Sequence, residues 1–176
     1  IDAHADVNTY DSSPSGNYHG MPLASALHLF QPWVDNSLPL KPHQIIYIGL
    51  RDIDEFEQQY IKDNNISYYT IDNIDTYGLE HILEQVQEMV YDKPVHLSFD
   101  IDSMDPTIAP STGTPVENGL ELHEVNTIHN RISLAGDIIN CDFVEFNPNL
   151  GTTNKISLTK QTNVDVMINV LDQNLK

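Results

Sequence analysis

The sequence predicts an α/β fold built on a parallel sheet that is buried on both faces. Three observations predict it. Short runs rich in Ile, Val and aromatic residues recur along the chain, and apolar residues at helical spacing fill the intervals between them. The two long irregular stretches each follow a run containing paired aspartates. Strands separated by helices call for right-handed crossovers, which make the strands parallel and put helices on both faces. Ligand sites in such folds lie beyond the carboxyl ends of the strands.

The expected elements run in order as follows. Residues 1–7 (IDAHADV) read as a strand, and 44–50 (QIIYIGL) as a second, followed by a short helix over 54–62. A third strand spans 66–71 (ISYYTI). Leu79, Ile82, Leu83, Val86, Met89 and Val90 then mark a helix over 77–91. Residues 95–101 (VHLSFDI) form the fourth strand, 120–134 a weaker amphipathic helix, 138–146 (IINCDFVEF) the fifth strand and 158–171 a last helix. The connections 8–22 and 102–119 are rich in Ser, Thr, Pro and Gly, and their length marks them as functional loops. A chain of 176 residues with 40% hydrophobic content predicts a single domain over 1–176 with a real core.

Eight Lys and Arg against 26 Asp and Glu give a formal net charge of −18 and a pI near 4.4. That field repels phosphate backbones and anionic bilayers, so neither nucleic acid nor a membrane is an expected partner. Apolar runs are short and broken, and none reads as a transmembrane span. Cys141 is the one cysteine, which excludes an internal disulfide and a thiolate zinc site and suits a reducing, cytoplasmic compartment. The chain opens at Ile1 directly on a motif, so a segment upstream is expected.

That motif is Asp2-Ala3-His4-Ala5-Asp6. In an extended strand, residues i, i+2 and i+4 project from one face, so two carboxylates and an imidazole converge. Close carboxylates in a low-dielectric site resist joint ionisation unless a cation neutralises them. A second pair, Asp100-Ile101-Asp102, ends another strand. Alone, it fits a metal site, the nucleophile strand of a haloacid-dehalogenase-type phosphatase, or a turn in which Asp caps backbone N–H groups. It does not fit an EF-hand, since the spacing, the Gly and the terminal Glu are wrong. Oxygen-rich ligation with one imidazole favours Mn²⁺ over thiolate-seeking metals, with Zn²⁺ and Fe²⁺ as alternatives. Shared carboxylates bridging two ions would make a binuclear hydrolase.

Six blocks in order carry a resemblance to the ureohydrolase superfamily, and most closely to the arginase family. They are Asp2-Ala3-His4-Ala5-Asp6-Val7-Asn8, Ser15-Gly16-Asn17-Tyr18-His19-Gly20-Met21-Pro22, Gly49-Leu50-Arg51-Asp52-Ile53-Asp54, Ser98-Phe99-Asp100-Ile101-Asp102-Ser103-Met104-Asp105-Pro106, Thr112-Gly113-Thr114-Pro115 and Val144-Glu145-Phe146-Asn147-Pro148. The phosphatase alternative explains only Asp100 and Asp102. The resemblance implies a three-layer α/β/α fold with a mainly parallel sheet. It also implies hydrolysis of L-arginine to L-ornithine and urea, by a hydroxide bridging two Mn²⁺ ions.

By motif match, Asp2, His4, Asp6, Asp100 and Asp102 would be the metal ligands, with Asp6 also holding the attacking hydroxide. Glu145 would fix the guanidinium, because a carboxylate suits a planar fork of N–H donors. His19 would carry a proton to the leaving amine, a role suited to imidazole. Asn8, Ser15 and Asn17 would read the α-carboxylate. Asp54 would accept the α-ammonium with Asp52 and Glu57 in support, and Thr114 would place a hydroxyl near the guanidinium. Bland alternatives stand beside these: a surface acid for Glu145, an exposed loop histidine for His19, and an acidic first helical turn for Asp52, Asp54 and Glu57. His28, His43, His81, His96 and His129 read as packing or surface residues.

The family pattern also carries an upstream Gly-Gly-Asp-His block whose His ligates the first ion, and these 176 residues contain no such block. The chain is therefore expected to be a C-terminal part with early strands missing. The alternatives are an agmatinase-like ureohydrolase or a metal-poor binding or regulatory subunit. A homo-oligomer, as a trimer, is the assembly the resemblance implies.

Overall fold

The computed structural model describes residues 1–31, 33 and 38–174. In chain order the elements are α1 (Pro22–Ala26), β1 (Ile46–Leu50), α2 (Glu55–Asp63), β2 (Ser67–Thr70), α3 (Ile71–Tyr77), α4 (Leu79–Val90), β3 (Pro94–Asp100), α5 (Leu122–Ala135), β4 (Asp137–Val144) and α6 (Thr153–Asn174). Local chemistry sets several boundaries. Thr70 Oγ1 accepts from Asn73 N at 3.1 Å while Asn73 Oδ1 accepts from Thr70 N at 3.0 Å, a reciprocal cap that opens α3. Gly78, at φ +85°, then separates α3 from α4, so the helix expected from residue 77 begins at Leu79. The α4 stripe buries Ile82, Leu83, Val86 and Val90, as its periodicity predicts.

β1 pairs with β2 and β3 with β4, both in parallel. Residues 1–3 lie between these two ladders. Ile1 N donates to Ser98 O at 2.9 Å and Asp100 N to Ile1 O at 3.0 Å. On the other side, Asp2 N donates to Ile48 O at 3.1 Å and Arg51 N to Ala3 O at 2.9 Å. The order across the molecule is therefore β2, β1, residues 1–3, β3, β4, with partners advancing in the same direction. One core packs β1 and β3 against α4, α5 and α6 through Ile48, Phe99, Leu83 and Val166; a second gathers Val7, Ala24, Leu50 and Ile61. Among the described residues no helix is long and apolar enough to cross a membrane.

Two expectations need correction. Residues 1–7 do not form a regular strand. The His4 N–H turns to Asp2 Oδ1 at 2.9 Å, and Asp6 sits at φ +54°, because the carboxylate competes for the backbone donor that a ladder would use. Ala3, Ala5 and Val7 are nevertheless fully buried, while Asp2, His4 and Asp6 are partly exposed. The strand expected over 95–101 ends at Asp100, where the 3-10 turn Ile101–Ser103 begins, capped by Asp100 Oδ1 accepting from Asp102 N at 2.9 Å.

Candidate active site

Four of the motifs lie at or just past the carboxyl end of a strand or of the strand-like segment 1–3. His4 and Asp6 follow Ala3, Arg51 to Asp54 follow β1, Asp102 follows β3 and Glu145 follows β4. This is the edge at which parallel sheets gather ligands. Ligand atoms of Asp2, His4 and Asp102 lie within 4.8 Å of one another, and among the described residues no other group of three or more acidic, His or Cys side chains does so. His4 Nδ1 is 3.2 Å from Asp102 Oδ2 and 3.8 Å from Asp2 Oδ1. Thr114 Oγ1 donates to Asp102 Oδ2 at 3.2 Å.

Asp102 is 2% exposed, and its Oδ1 is buried with no hydrogen-bond partner. An unpartnered buried carboxylate oxygen costs several kcal/mol in order of magnitude, and a cation, or without one the proton that Asp100 shares with Asp102, relieves it. The donor set, two carboxylates and one imidazole, fits a hard or borderline divalent ion such as Mn²⁺. Asp6 and Asp100 stand outside that spacing, although both feel the Asp2 and Asp102 charges. Asp100 spends one oxygen on the Asp102 N–H.

The electrostatics agree. Burial, followed by the Asp102 charge, pushes the Asp2 carboxyl up to about 7. Burial and the Asp2 charge lift Asp6 to about 8, and burial with the Asp2 and Asp102 charges lifts Asp100 to about 10. For His4, burial opposes the charged form, but the Asp102 hydrogen bond and the Asp102 and Asp2 charges outweigh it and raise the ring to about 9. For Asp102 itself, burial is outweighed by the His4 hydrogen bond and charge, which hold the carboxyl below its usual range. At neutral pH this cluster holds protons that a divalent cation must displace. Mn²⁺ binding should therefore release more than one proton at pH 7 and tighten at least tenfold between pH 6 and 8. Calorimetry in buffers of different ionisation enthalpy measures this directly, and pH-independent binding would contradict it.

The predicted substrate residues fall into two groups. Asn8 is buried, and its Nδ2 donates to Asp54 Oδ2 at 2.7 Å. Asp54 stands at the N-cap of α2 and faces Glu57 in a capping box, in which Glu57 Oε2 accepts from Asp54 N at 3.1 Å. Glu57 Oε1 accepts from Val7 N at 3.0 Å, so both its oxygens serve the backbone and this buried acid ties the first motif to α2. Asp52 is exposed, with Oδ2 3.6 Å from His4 Nε2. Ser15 and Asn17 lie on an exposed loop, where Ser15 Oγ accepts from Asn17 N at 3.2 Å.

His19 is exposed on the 3-10 turn Tyr18–Gly20, which is tied to the first motif by Asn8 N donating to Gly20 O at 3.2 Å. Glu145 is half-buried at φ +63°, and its Oε2 lies 3.8 Å from where a Cβ on Gly113 would be. That contact sets the carboxylate beside the Thr-Gly-Thr-Pro turn carrying Thr114.

Sequence reasoning passed over two features here. Arg51, inside the Gly-Leu-Arg-Asp-Ile-Asp block, donates to six backbone carbonyls around the Asp102 loop. Its place one residue before Asp52 was the available signal. Four rings, Tyr10, Tyr18, Phe30 and Trp33, also pack edge-on or tilted beside the His19 turn, with Trp33 Nε1 donating to Tyr10 Oη at 3.0 Å. Their scatter along the chain left no pattern to read.

Comparison with known proteins agrees with this arrangement. The model of the Arginase family matches residues 1–171. The arginase of Coccidioides immitis is 41% identical over 160 residues, which cover 86% of this chain and 50% of that protein. The solved arginase of Bacillus caldovelox superposes with a TM-score of 0.86 at 37% identity, covering 96% of this chain and 57% of that one. The Entamoeba histolytica arginase, solved in complex with L-ornithine, gives a TM-score of 0.83 at 32% identity over 96% of this chain and 57% of that one. The chain thus spans about half the length of the curated relatives it matches. With acidic strand ends converging on one edge of an arginase-like fold, and a family match running nearly end to end, the chain belongs to the arginase family.

Proposed function

We propose that this chain carries the metal and guanidinium half-sites of a manganese-dependent arginase, which hydrolyses L-arginine to L-ornithine and urea. The observation that carries the reading is the convergence of Asp2, His4 and Asp102, with His4 on one Asp102 oxygen and the other, Oδ1, buried beside it without a partner. Asp2, His4 and Asp102, joined by Asp6 and Asp100, would hold the metal. Bound there, Mn²⁺ would supply the charge that makes water nucleophilic at neutral pH.

The chain's own residues do the rest. Thr114 steadies the ionised Asp102 through its hydroxyl. Glu145, beside Gly113, offers its carboxylate to the planar guanidinium N–H fork. Asp6, ionised once the cation displaces its proton, accepts a hydrogen bond from the attacking water. His19 delivers a proton to the departing amine. The Asn8–Asp54 pair and the exposed Ser15 and Asn17 form the amino-acid end, with Asp54 taking the ammonium and Asp52 adding negative charge nearby. Glu57 supports that end by fixing the Asp54 backbone. A homotrimer is the proposed assembly, to be measured by light scattering.

The direct test is urea release after Mn²⁺ preincubation, on arginine and agmatine side by side. Urea from arginine alone is expected; urea from agmatine alone would select the agmatinase alternative. A finer result is expected for Asn17→Ala. Losing a neutral carboxylate reader should weaken L-ornithine binding about tenfold, or ~1.4 kcal/mol, and leave putrescine unchanged, because putrescine lacks the carboxylate. Equal losses on both ligands would remove Asn17 from the carboxylate site.

A further inference from the structure

The loop 102–119 carries Asp102 at one end and Thr114 in its middle, yet beyond the turn Ile101–Ser103 and the bridge Met104–Leu120 it has no regular structure. Loops of this kind are mobile unless something ties them. Arg51 lies outside the loop, just past the end of β1. Its Nη2 donates to Asp102 O at 2.8 Å, Val116 O at 2.8 Å and Met104 O at 3.4 Å. Nη1 donates to Ser103 O at 3.1 Å and Gly49 O at 3.3 Å, and Nε to Glu117 O at 3.1 Å. One guanidinium thus grips both arms of the loop at its neck and anchors them to its own strand.

All six hydrogen bonds go to backbone carbonyls and none to a carboxylate, so the grip is set by geometry, while the charges of Asp102, Asp105, Asp2 and Asp52 favour the cation from a distance. A planar fork with five donors spans such a set, whereas an ammonium with three donors on a single atom cannot. The fit is also close. A Cβ on Gly119 would come 2.6 Å from Arg51 Nη2 and 2.4 Å from the Met104 carbonyl carbon, so the neck closes only around a glycine. Asp105 closes the same neck from within, its Oδ2 accepting from Gly119 N at 3.2 Å.

We infer that Arg51 is a positioning residue for the metal site: by stapling the neck of loop 102–119 it holds the Asp102 carboxylate, and the Thr114 hydroxyl that hydrogen-bonds it, at the spacing the ion requires. This rests on the metal reading proposed above. Residues that orient metal ligands typically change metal affinity 10–100-fold when replaced.

The test compares wild type with Arg51→Lys, which keeps the charge and loses the span, and Arg51→Gln, which avoids burying an ammonium. Arg131→Lys is the control, because Arg131 binds Gln87 and Glu80 between α4 and α5. Two readouts are taken: Mn²⁺ affinity, from the spectrum of unbound Mn²⁺, and amide hydrogen exchange of metal-free protein. Both Arg51 variants should bind Mn²⁺ at least tenfold more weakly and exchange residues 103–119 at least tenfold faster, with α4 and β3 unchanged, while the control moves neither readout. Affinity and exchange within threefold of wild type would overturn the proposal. So would exchange accelerated evenly along the chain, which would mean a whole-domain role, or rescue by Lys but not Gln, which would mean charge alone. If wild type takes up no Mn²⁺ at any concentration, the metal reading fails and this role fails with it; binding in wild type retained in the variants defeats this role only.

Discussion

Replacing Asp102 with Asn is expected to weaken Mn²⁺ binding at least a hundredfold and to abolish any urea release. The substitution keeps shape and removes charge at the most buried member of the ligand group, the one that also receives His4 Nδ1 at 3.2 Å and Thr114 Oγ1 at 3.2 Å. An amide oxygen is a poorer ligand for a divalent ion, and the amide nitrogen would be directed at His4 or Thr114. The matched control is Asp52→Asn. Asp52 lies 3.6 Å from His4 Nε2 but is 68% exposed in its side chain, where water screens its charge. It should cost no more than about threefold in affinity. Comparable losses at Asp52 and Asp102 would mean that the site works as a diffuse acidic surface rather than through defined ligands.

The second large effect concerns acid stability and His129. This residue of α5 is 1% exposed, packs edge-on against Phe99 with ring centroids 5.6 Å apart, and has no hydrogen-bond partner at either ring nitrogen. Burial pushes its pKa down to about 3, against an ordinary value of 6.5. The unfolded chain therefore takes up this proton more readily than the folded one. The neutral ring's contribution is fully present above pH 6.5 and is lost progressively as pH falls from 6.5 toward 3. The complete penalty is on the order of 5 kcal/mol.

Asp2, Asp6 and Asp100 act in the opposite direction. Their raised values favour the folded protein as pH falls from their folded pKa values toward 3.8, so a wild-type pH curve alone mixes the two effects. The difference between wild type and His129→Leu isolates the histidine. At pH 7.5 the variant should be nearly as stable as wild type, because the unpartnered nitrogens leave together with the ring contact. By pH 5 it should be more stable by about 2 kcal/mol, read from urea unfolding midpoints. Parallel curves for the two proteins would show that His129 takes up its proton without unfolding.

Much of the fold was legible in the sequence because its signals are local. Alternating strand runs and helical stripes placed β1 to β4 and the helices α2, α4, α5 and α6 to within a few residues, since burying an apolar face demands that periodicity wherever it occurs. The misses were also local in origin. α3 is short and opened by a Thr70–Asn73 cap, and the strand expected over 1–7 pairs only as far as Ala3, because Asp2 took the His4 N–H. Glu57 was readable as an acid near a helix start. That both of its oxygens would go to the Val7 and Asp54 N–H groups was not, because Val7 lies far away in the chain.

By itself, the sequence determined the class of fold, the acidic ends of its strands, the ordered blocks that mark the arginase family and a net charge hostile to polyanions. Only the tertiary structure decided which acids converge. It brought Asp2 and His4 to Asp102, held Asp6 and Asp100 outside that spacing, and left one Asp102 oxygen buried without a partner. The reason is physical. Convergence depends on three segments distant in sequence being pinned side by side through Ser98 O, Ile1 O and Ile48 O, and the Arg51 staple uses carbonyls in the same way. Every residue carries that acceptor, so its use leaves no mark in the order of side chains.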